Sequence, residues 1–351
     1  MNTELNTGPL GVALIGAGMI GKTHVAALSD AQDRVRLEVI LTRNPDTATH
    51  LAEYYTGPKP QFTADLATIT DNPDVHIVIV ATPPSVRIDL IEALAKAGKH
   101  ILLEKPVART SDEALKVVEI CEAAGVTLGL VFQHRMRPAS KSAAQLIADG
   151  DLGTLGHVEI AAPLWRDQSY YDELGRGTYA RDGGGVLLTQ AIHTIDLALS
   201  LTGPVTRVQA MTATTPLHQM EAEDFAVSGL RLANGAVGSL TASTASFPHG
   251  AETITLHFKN ATLRLGAETL GIFWRDGRID QQTFGDAAIG DTGPVLANHD
   301  LHQAILEDFA DAIRDARAPI VTGRQALAAH SLITAIETSS RMGKAVDIDT
   351  P

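Results

Sequence analysis

Cysteine is nearly absent: the chain of 351 residues has one, Cys121. A single thiol builds neither a disulfide framework nor a cysteine-based metal site. Its surroundings read as an amphipathic helix, in which cysteine serves as a small buried apolar residue. Aromatic residues are scarce at 4%, so aliphatic and alanine side chains must form most of the core. Basic charge is in deficit, with 28 Lys and Arg against 41 Asp and Glu and a net charge of −13. Binding nucleic acid needs a cationic surface that displaces counterions, so that class is excluded. Anionic small molecules stay open, because a local cationic pocket fits on an acidic protein. No apolar run approaches the roughly 18 residues of a membrane-spanning helix. The first residues, Met1-Asn-Thr-Glu-Leu-Asn, lack the basic and apolar regions of a signal peptide. A cytoplasmic protein without a membrane partner is the expectation. The histidines are scattered and show no H-E-x-x-H spacing, so no metal is expected.

What the chain does have is two periods. Short apolar runs at Val12–Ile15, Leu37–Leu41, His76–Ala81, His100–Leu103 and Thr127–Phe132 alternate with helical stretches, and Gln61–Phe62 supplies a sixth short strand. Continuous apolar strands separated by helices predict a parallel sheet covered on both faces. After Gln133 the rhythm changes. A helix is predicted over Pro138–Asp149, a strand over His157–Ala161, then a stretch without period from Ala162 to Asp182. Loops of that length inside compact domains are usually binding loops or lids. Gly183-Gly184-Gly185 opens a helix to about Thr202. From Val205 to Arg278 the pattern is strand-rich, with hairpin turns at Asn234-Gly235 and Asp276-Gly277, and two helices follow, Leu301–Ala316 and Arg324–Arg341. The expected architecture is an α/β dinucleotide-binding domain over residues 1–133 and an α+β domain over 134–351.

Gly16-Ala17-Gly18-Met19-Ile20-Gly21 is a G-x-G-x-x-G turn between a strand and a helix. The first glycine permits the tight turn, the second lets backbone approach a pyrophosphate, and the third lets helix and strand pack closely. The helix N-terminus then offers N–H groups and a partial positive charge to the phosphates. The second strand ends Leu41-Thr42-Arg43, where an acid would bind the ribose hydroxyls of NAD. Arg43 suits a 2′-phosphate instead, so NADP(H) is favoured and NAD(H) is the alternative. Arg43 as a solvated charge, or stacked on adenine with either cofactor, is the competing reading.

Glu104-Lys105-Pro106 stands at the carboxyl end of a strand, where ligands bind in such sheets. Further on comes Gly183-Gly-Gly-Val-Leu-Leu-Thr189-Gln190-Ala-Ile-His193-Thr-Ile-Asp196. Together with the glycine turn, His24, Pro319-Ile-Val-Thr-Gly323 and the terminal Ala345-Val-Asp-Ile, these resemble the Gfo/Idh/MocA family of sugar and polyol oxidoreductases over nearly the whole chain. The resemblance implies a Rossmann domain, a C-terminal domain with a large mostly antiparallel sheet, and a homodimer or homotetramer. It implies a carbohydrate substrate and catalytic roles for Lys105 and His193. It places cofactor contacts at Gly16, Gly18, Met19, Ile20, Gly21, Thr42, Arg43, Ala81, Thr82, Pro83, Glu104 and Lys105. Substrate contacts are expected from Lys105, Arg166, Tyr171, Arg176, Thr189, Gln190 and His193.

The chemistry agrees. Oxidising a secondary alcohol removes a hydride from carbon and a proton from oxygen; histidine is the side chain whose ordinary range suits the proton, and a lysine ammonium stabilises charge developing on that oxygen. Two departures from the family pattern stand out, at Thr189 and at Arg87. Thr189 occupies the position four before His193 where many relatives have aspartate, which shifts weight to Lys105 and His193. Asp196 either orients His193 or pairs elsewhere. Arg87, in Thr82-Pro83-Pro84-Ser85-Val86-Arg87, replaces a frequent histidine and reads either as a contact near the cofactor or as a surface charge. Gln133-His134-Arg135 either reaches nicotinamide or substrate, or pins the domain junction. Two other functions compete: an NAD-dependent glycosidase of the same fold, which returns its cofactor unchanged, and a non-catalytic sensor of a dinucleotide or sugar.

Overall fold

Alternating apolar runs and helices build a parallel sheet in the computed structural model, which describes residues 8–284 and 299–349. Its strands are β1 Leu10–Ile15, β2 Val35–Leu41, β3 Gln61–Thr63, β4 Val75–Val80, β5 His100–Glu104 and β6 Leu128–Val131. They lie in the order β3-β2-β1-β4-β5-β6, and every neighbouring pair is parallel. This is a six-stranded parallel Rossmann sheet, as the sequence predicts, and β1 and, apart from His76, β4 are apolar because both faces are covered. The order reverses between β1 and β4, so their carboxyl ends open a crevice for a ligand.

Contacts gather the described residues into two compact units. The first holds residues 8–108, 112–133 and 299–326, the second 109–111, 134–284 and 327–349. Residues 299–326 thus belong with the first unit although they follow position 133. Helix Asp300–Arg314 packs on helix Gly21–Asp30 and on β6, Arg34 pairs with Asp311 at 3.2 Å, and Leu130 N–H donates to the Val321 carbonyl at 3.2 Å. Cys121 is buried in helix Ser111–Ala123, and burial pushes its thiol up to about 12, which makes it an inert core residue.

The second unit is built on nine strands: β7 Leu155–Pro163, β8 Val205–Ala213, β9 Phe225–Leu232, β10 Val237–Ser243, β11 Thr253–Phe258, β12 Ala261–Leu265, β13 Thr269–Trp274, β14 Ile279–Thr283 and β15 Val346–Asp347. Their order is β14-β13-β12-β11-β7-β10-β9-β8-β15. All pairs are antiparallel except β7 with β10, so the sheet is mixed and mostly antiparallel. Along β7, Val158, Ile160 and Ala162 are buried while His157 and Glu159 are exposed, the alternation of a sheet with one covered face. Helix Ile192–Thr202 lies on the covered face against β7 and β11. No helix among the described residues is long and apolar enough to cross a membrane.

Candidate active site

The glycine turn leaves β1 with Gly16 at φ 109°, and a side chain there would lie 2.7 Å from the Ala81 carbonyl oxygen. Only glycine serves at that point, where the β1 and β4 ends approach. A Cβ on Gly18 would meet nothing within 4 Å, so the space above the turn is open to a ligand. Gly21 packs against Leu51, and no side chain caps the helix that begins there. An uncapped helix start beside an open glycine is a fit for a pyrophosphate. Met19 is exposed at this edge, and the buried Thr82 hydroxyl has no hydrogen-bond partner among the described residues. Past β2, the Thr42 N–H donates to Thr63 and Arg43 is exposed. No carboxylate stands at Thr42, Arg43 or Asn44.

Lys105 is half-buried at the carboxyl end of β5, and two buried groups hold its backbone. Arg87 lies beneath it, only 2% exposed. Its guanidinium donates to the carbonyls of Thr82 (3.0 and 2.6 Å), Glu104 (2.6 Å), Pro106 and Val107 (3.3 Å). Arg87 thus grips the chain on both sides of Lys105 and ties it to the end of β4. It is neither a surface charge nor a side chain directed at a ligand. Burial lowers it to about 10, still charged near neutral pH. Glu104 is the second holder: its carboxylate accepts from the Lys105 N–H at 3.2 Å and from His24 Nε2 at 2.9 Å, with His302 Nε2 at 3.7 Å. Burial pushes this carboxyl up, but the hydrogen bond from His24 and the proximity of His24, His302 and Lys105 outweigh it and hold it at about 2. The Glu104 side chain is therefore committed inward, and so is His24. His302 is kept down at about 4 by burial, against the pull of Glu104.

In the second unit, Gly183-Gly184-Gly185 leads into a π-helical turn, Leu187–Ala191, and the regular helix begins only at Ile192. A side chain on Gly185 would lie 1.8 Å from the Glu223 carbonyl oxygen, so this approach requires glycine. Glu223 in turn accepts from the N–H groups of Gly185 and Leu187, each at 3.0 Å. Wide turns of this kind re-aim side chains and recur at functional sites. This one carries Thr189 and Gln190. Thr189 donates its hydroxyl back to Gly185 at 2.7 Å. The Gln190 amide is buried, and neither its oxygen nor its nitrogen has a hydrogen-bond partner among the described residues.

His193, 8% exposed, follows at once, and the His134 ring lies 4.8 Å from it. His134 is fixed from behind by Arg137 at 2.7 Å, and Glu252 gathers Arg137 (3.7 Å) and Thr194. Asp196 does not orient His193: its carboxylate takes a two-pronged hydrogen bond from Arg135 at 2.7 and 2.6 Å. His134 is one of the residues that the sequence left undecided, and its place after a strand was its only signal.

The unpatterned loop is pinned by its own residues and by Thr244 and His218 from beyond it. Arg166 and Arg176 both lie over the Tyr170 ring, at 5.2 and 4.5 Å. Arg176 is paired with Glu173 at 2.5 Å, while the Arg166 Nε is buried without a hydrogen-bond partner among the described residues. Tyr171 is buried with its hydroxyl 2.6 Å from Thr244 Oγ1, and burial pushes it up to about 12. A buried pair, His218 and Asp224 at 2.8 Å, holds the Arg166 carbonyl from below.

Comparison with known proteins agrees with this layout. Residues 10–132 match the model of an oxidoreductase family with an NAD-binding Rossmann fold, and residues 140–264 match the GFO/IDH/MocA C-terminal domain. Levoglucosan dehydrogenase of Pseudarthrobacter phenanthrenivorans is 29% identical over 67% of each chain, and D-apiose dehydrogenase of Paraburkholderia graminis 26% identical over 96% of this chain and 89% of its own. The WlbA dehydrogenase of Bordetella pertussis, solved with NADH and UDP-GlcNAcA, superposes with a TM-score of 0.82 at 30% identity, covering 98% of this chain and 100% of its own. The two family models together match more than half of the chain, and the chain belongs to the Gfo/Idh/MocA family of oxidoreductases.

Proposed function

We propose that the protein is an NAD(P)-dependent dehydrogenase or reductase acting on a secondary alcohol or ketone of a sugar, cyclitol or sugar derivative. The observation that carries this reading is the bracketing of Lys105 by Arg87, which donates to carbonyls before and after it. A buried arginine devoted to backbone on either side of one lysine fixes where that lysine's side chain starts. Gly16, Gly18, Met19, Ile20 and Gly21 hold the pyrophosphate, and Ala81, Thr82 and Pro83 line the crevice at the end of β4. The bound nicotinamide supplies the hydride acceptor or donor. Lys105 hydrogen-bonds the reacting oxygen and stabilises negative charge on it. His193 takes the proton from that oxygen during oxidation and returns it during reduction. Gln190, whose amide has no hydrogen-bond partner among the described residues, and Thr189 orient the ring hydroxyls, and Arg166 contributes from the loop. Glu104 and Tyr171 act as supports. The absence of a carboxylate at the end of β2, with Arg43 exposed there, supports NADP(H), with NAD(H) as the alternative.

The test is an absorbance screen for reduced cofactor with sugars, inositols, sugar acids and nucleotide sugars, each with NAD and with NADP. Net cofactor reduction separates a dehydrogenase from a glycosidase. Lys105→Ala should lower turnover by about 100-fold or more while cofactor binding survives. Turnover that persists in this variant rejects the assignment. A Michaelis constant for NAD at or below that for NADP rejects the cofactor preference.

A further inference from the structure

The open face of the nine-stranded sheet carries three side chains that the proposed reaction does not use. His157 and Glu159 stand two residues apart on β7 and so share a face. The pairing of β7 with β11 sets His257 opposite His157. The two imidazoles stack with centroids 4.0 Å apart and planes 15° from parallel. Nε2 of each lies 3.8 Å from Glu159 Oε1, and the three ligand atoms all fall within 4.8 Å of one another. A tetrahedral ion with ligand bonds of about 2.1 Å needs donor atoms roughly 3.4 Å apart. Closing that difference requires the two half-exposed rings to splay out of their stack, so that both Nε2 lone pairs converge on the ion.

The polar contacts of His257 point the same way. Its Nδ1 lies 3.1 Å from Thr262 Oγ1, while its Nε2 is buried and has no hydrogen-bond partner among the described residues. If Nδ1–H donates to the Thr262 hydroxyl, the lone pair is left on Nε2, on the Glu159 side. A ring nitrogen held by an outer hydrogen bond is how metal-ligating histidines are oriented. An orphaned buried nitrogen costs about 1–3 kcal/mol unless something meets it. Burial, with His157 and Arg264 nearby, also lowers His257 from the usual imidazole range against the pull of Glu159, so the ring is neutral near pH 7 and able to coordinate.

We propose that His157, Glu159 and His257 form a binding site for a zinc-class divalent metal ion, with water completing the coordination. Two imidazoles and one carboxylate are a donor set that zinc takes, leaving a fourth position open. His257 lies a hundred residues beyond His157 in sequence, and only the β7–β11 register brings it to the β7 pair, which is why no motif spacing reveals the site.

Titration of Zn2+ into the chelator-treated full-length protein, followed by calorimetry, tests this, with Co2+ absorption in the visible as a report on coordination. One ion per chain is expected. His157→Gln, Glu159→Ala and His257→Gln should each weaken it by at least about tenfold and abolish the Co2+ bands, with the thermal unfolding of the metal-free protein unchanged. The two β7 residues are exposed, so their variants keep the fold even where His257→Gln does not. Zn2+ affinity that is unchanged in both β7 variants, or no binding at micromolar metal, overturns the proposal.

Discussion

Glu104 in the first unit and Glu223 with the half-buried Glu337 in the second are carboxylic acids beside the Lys105 and Gly183-Gly184-Gly185 segments, yet they titrate in opposite directions. Glu104 is 7% exposed and Glu223 4% exposed, so burial does not separate them. Neighbours do. Glu104 faces His24 and His302 and stays down at about 2. Glu223 is raised: burial dominates, Asp224 adds to it, and the N–H groups of Leu187 and Gly185 only partly oppose it. Glu337 is pushed up to about 7 by burial and by Glu223, with Arg341 pulling the other way. Its Oε1 lies 3.3 Å from where a Cβ on Gly184 would stand. A carboxylate committed to imidazoles braces the Lys105 segment firmly, whereas two acids sharing a turn hold theirs more weakly. The lesson is that partners decide what a buried acid does, and that the two turns respond to pH with opposite signs.

The largest expected effect breaks the first half of this comparison. Glu104→Gln removes the charge that His24 and the Lys105 N–H share, and should cost about 3 kcal/mol by urea denaturation at pH 7. A loss within about 0.5 kcal/mol would mean the carboxylate does not brace the segment. Next, Glu337→Gln sharpens the contrast. A raised carboxyl keeps its proton in the fold while the unfolded chain ionises, so stability falls as pH rises from the ordinary 4.5 through about 7. The glutamine variant should therefore be more stable than the parent at pH 8, by up to about 3 kcal/mol, and should lose that advantage near pH 4.5. An equal difference at both pH values contradicts the assignment. The smallest effect concerns His302. A depressed imidazole contributes stability that is full above its ordinary 6.5 and is lost as pH falls through about 4. His302→Asn should flatten the fall in thermal midpoint between pH 6.5 and 5.5, a window in which Glu104 stays largely ionised in both states and adds little. An unchanged slope there would place the sensitivity elsewhere.

The parallel sheet was legible because each of its strands announces itself locally: an apolar run, then a turn, then a helix. The places of Lys105 after a strand and of His193 on an apolar helix were legible, and resemblance singled the two out as candidates. Arg87 was not, because nothing in Ser85-Val86-Arg87 says that four backbone carbonyls converge on it from Thr82, Glu104, Pro106 and Val107. The π-helical turn was hidden too, since Leu187–Ala191 fits an ordinary helical period, and the Glu223 carboxylate that accepts from its first N–H lies far along the chain. The same distance concealed the parallel pairing of β7 with β10 and the return of residues 299–326 to the first unit. Tyr171 and Arg176 attracted attention as polar residues in a long loop, but their partners, Thr244 and Glu173, account for the groups that drew it.

The position of β7 bears on how the molecule is made. It is the earliest strand of its sheet to emerge, yet it lies between β10 and β11, both synthesised much later. Until they appear, a newly made β7 has two bare edges. Pairings this distant close slowly, and unpaired edges invite contact with other chains. Pro163 at the end of β7 and the charged Glu159 within it blunt those edges while the ribosome completes the rest.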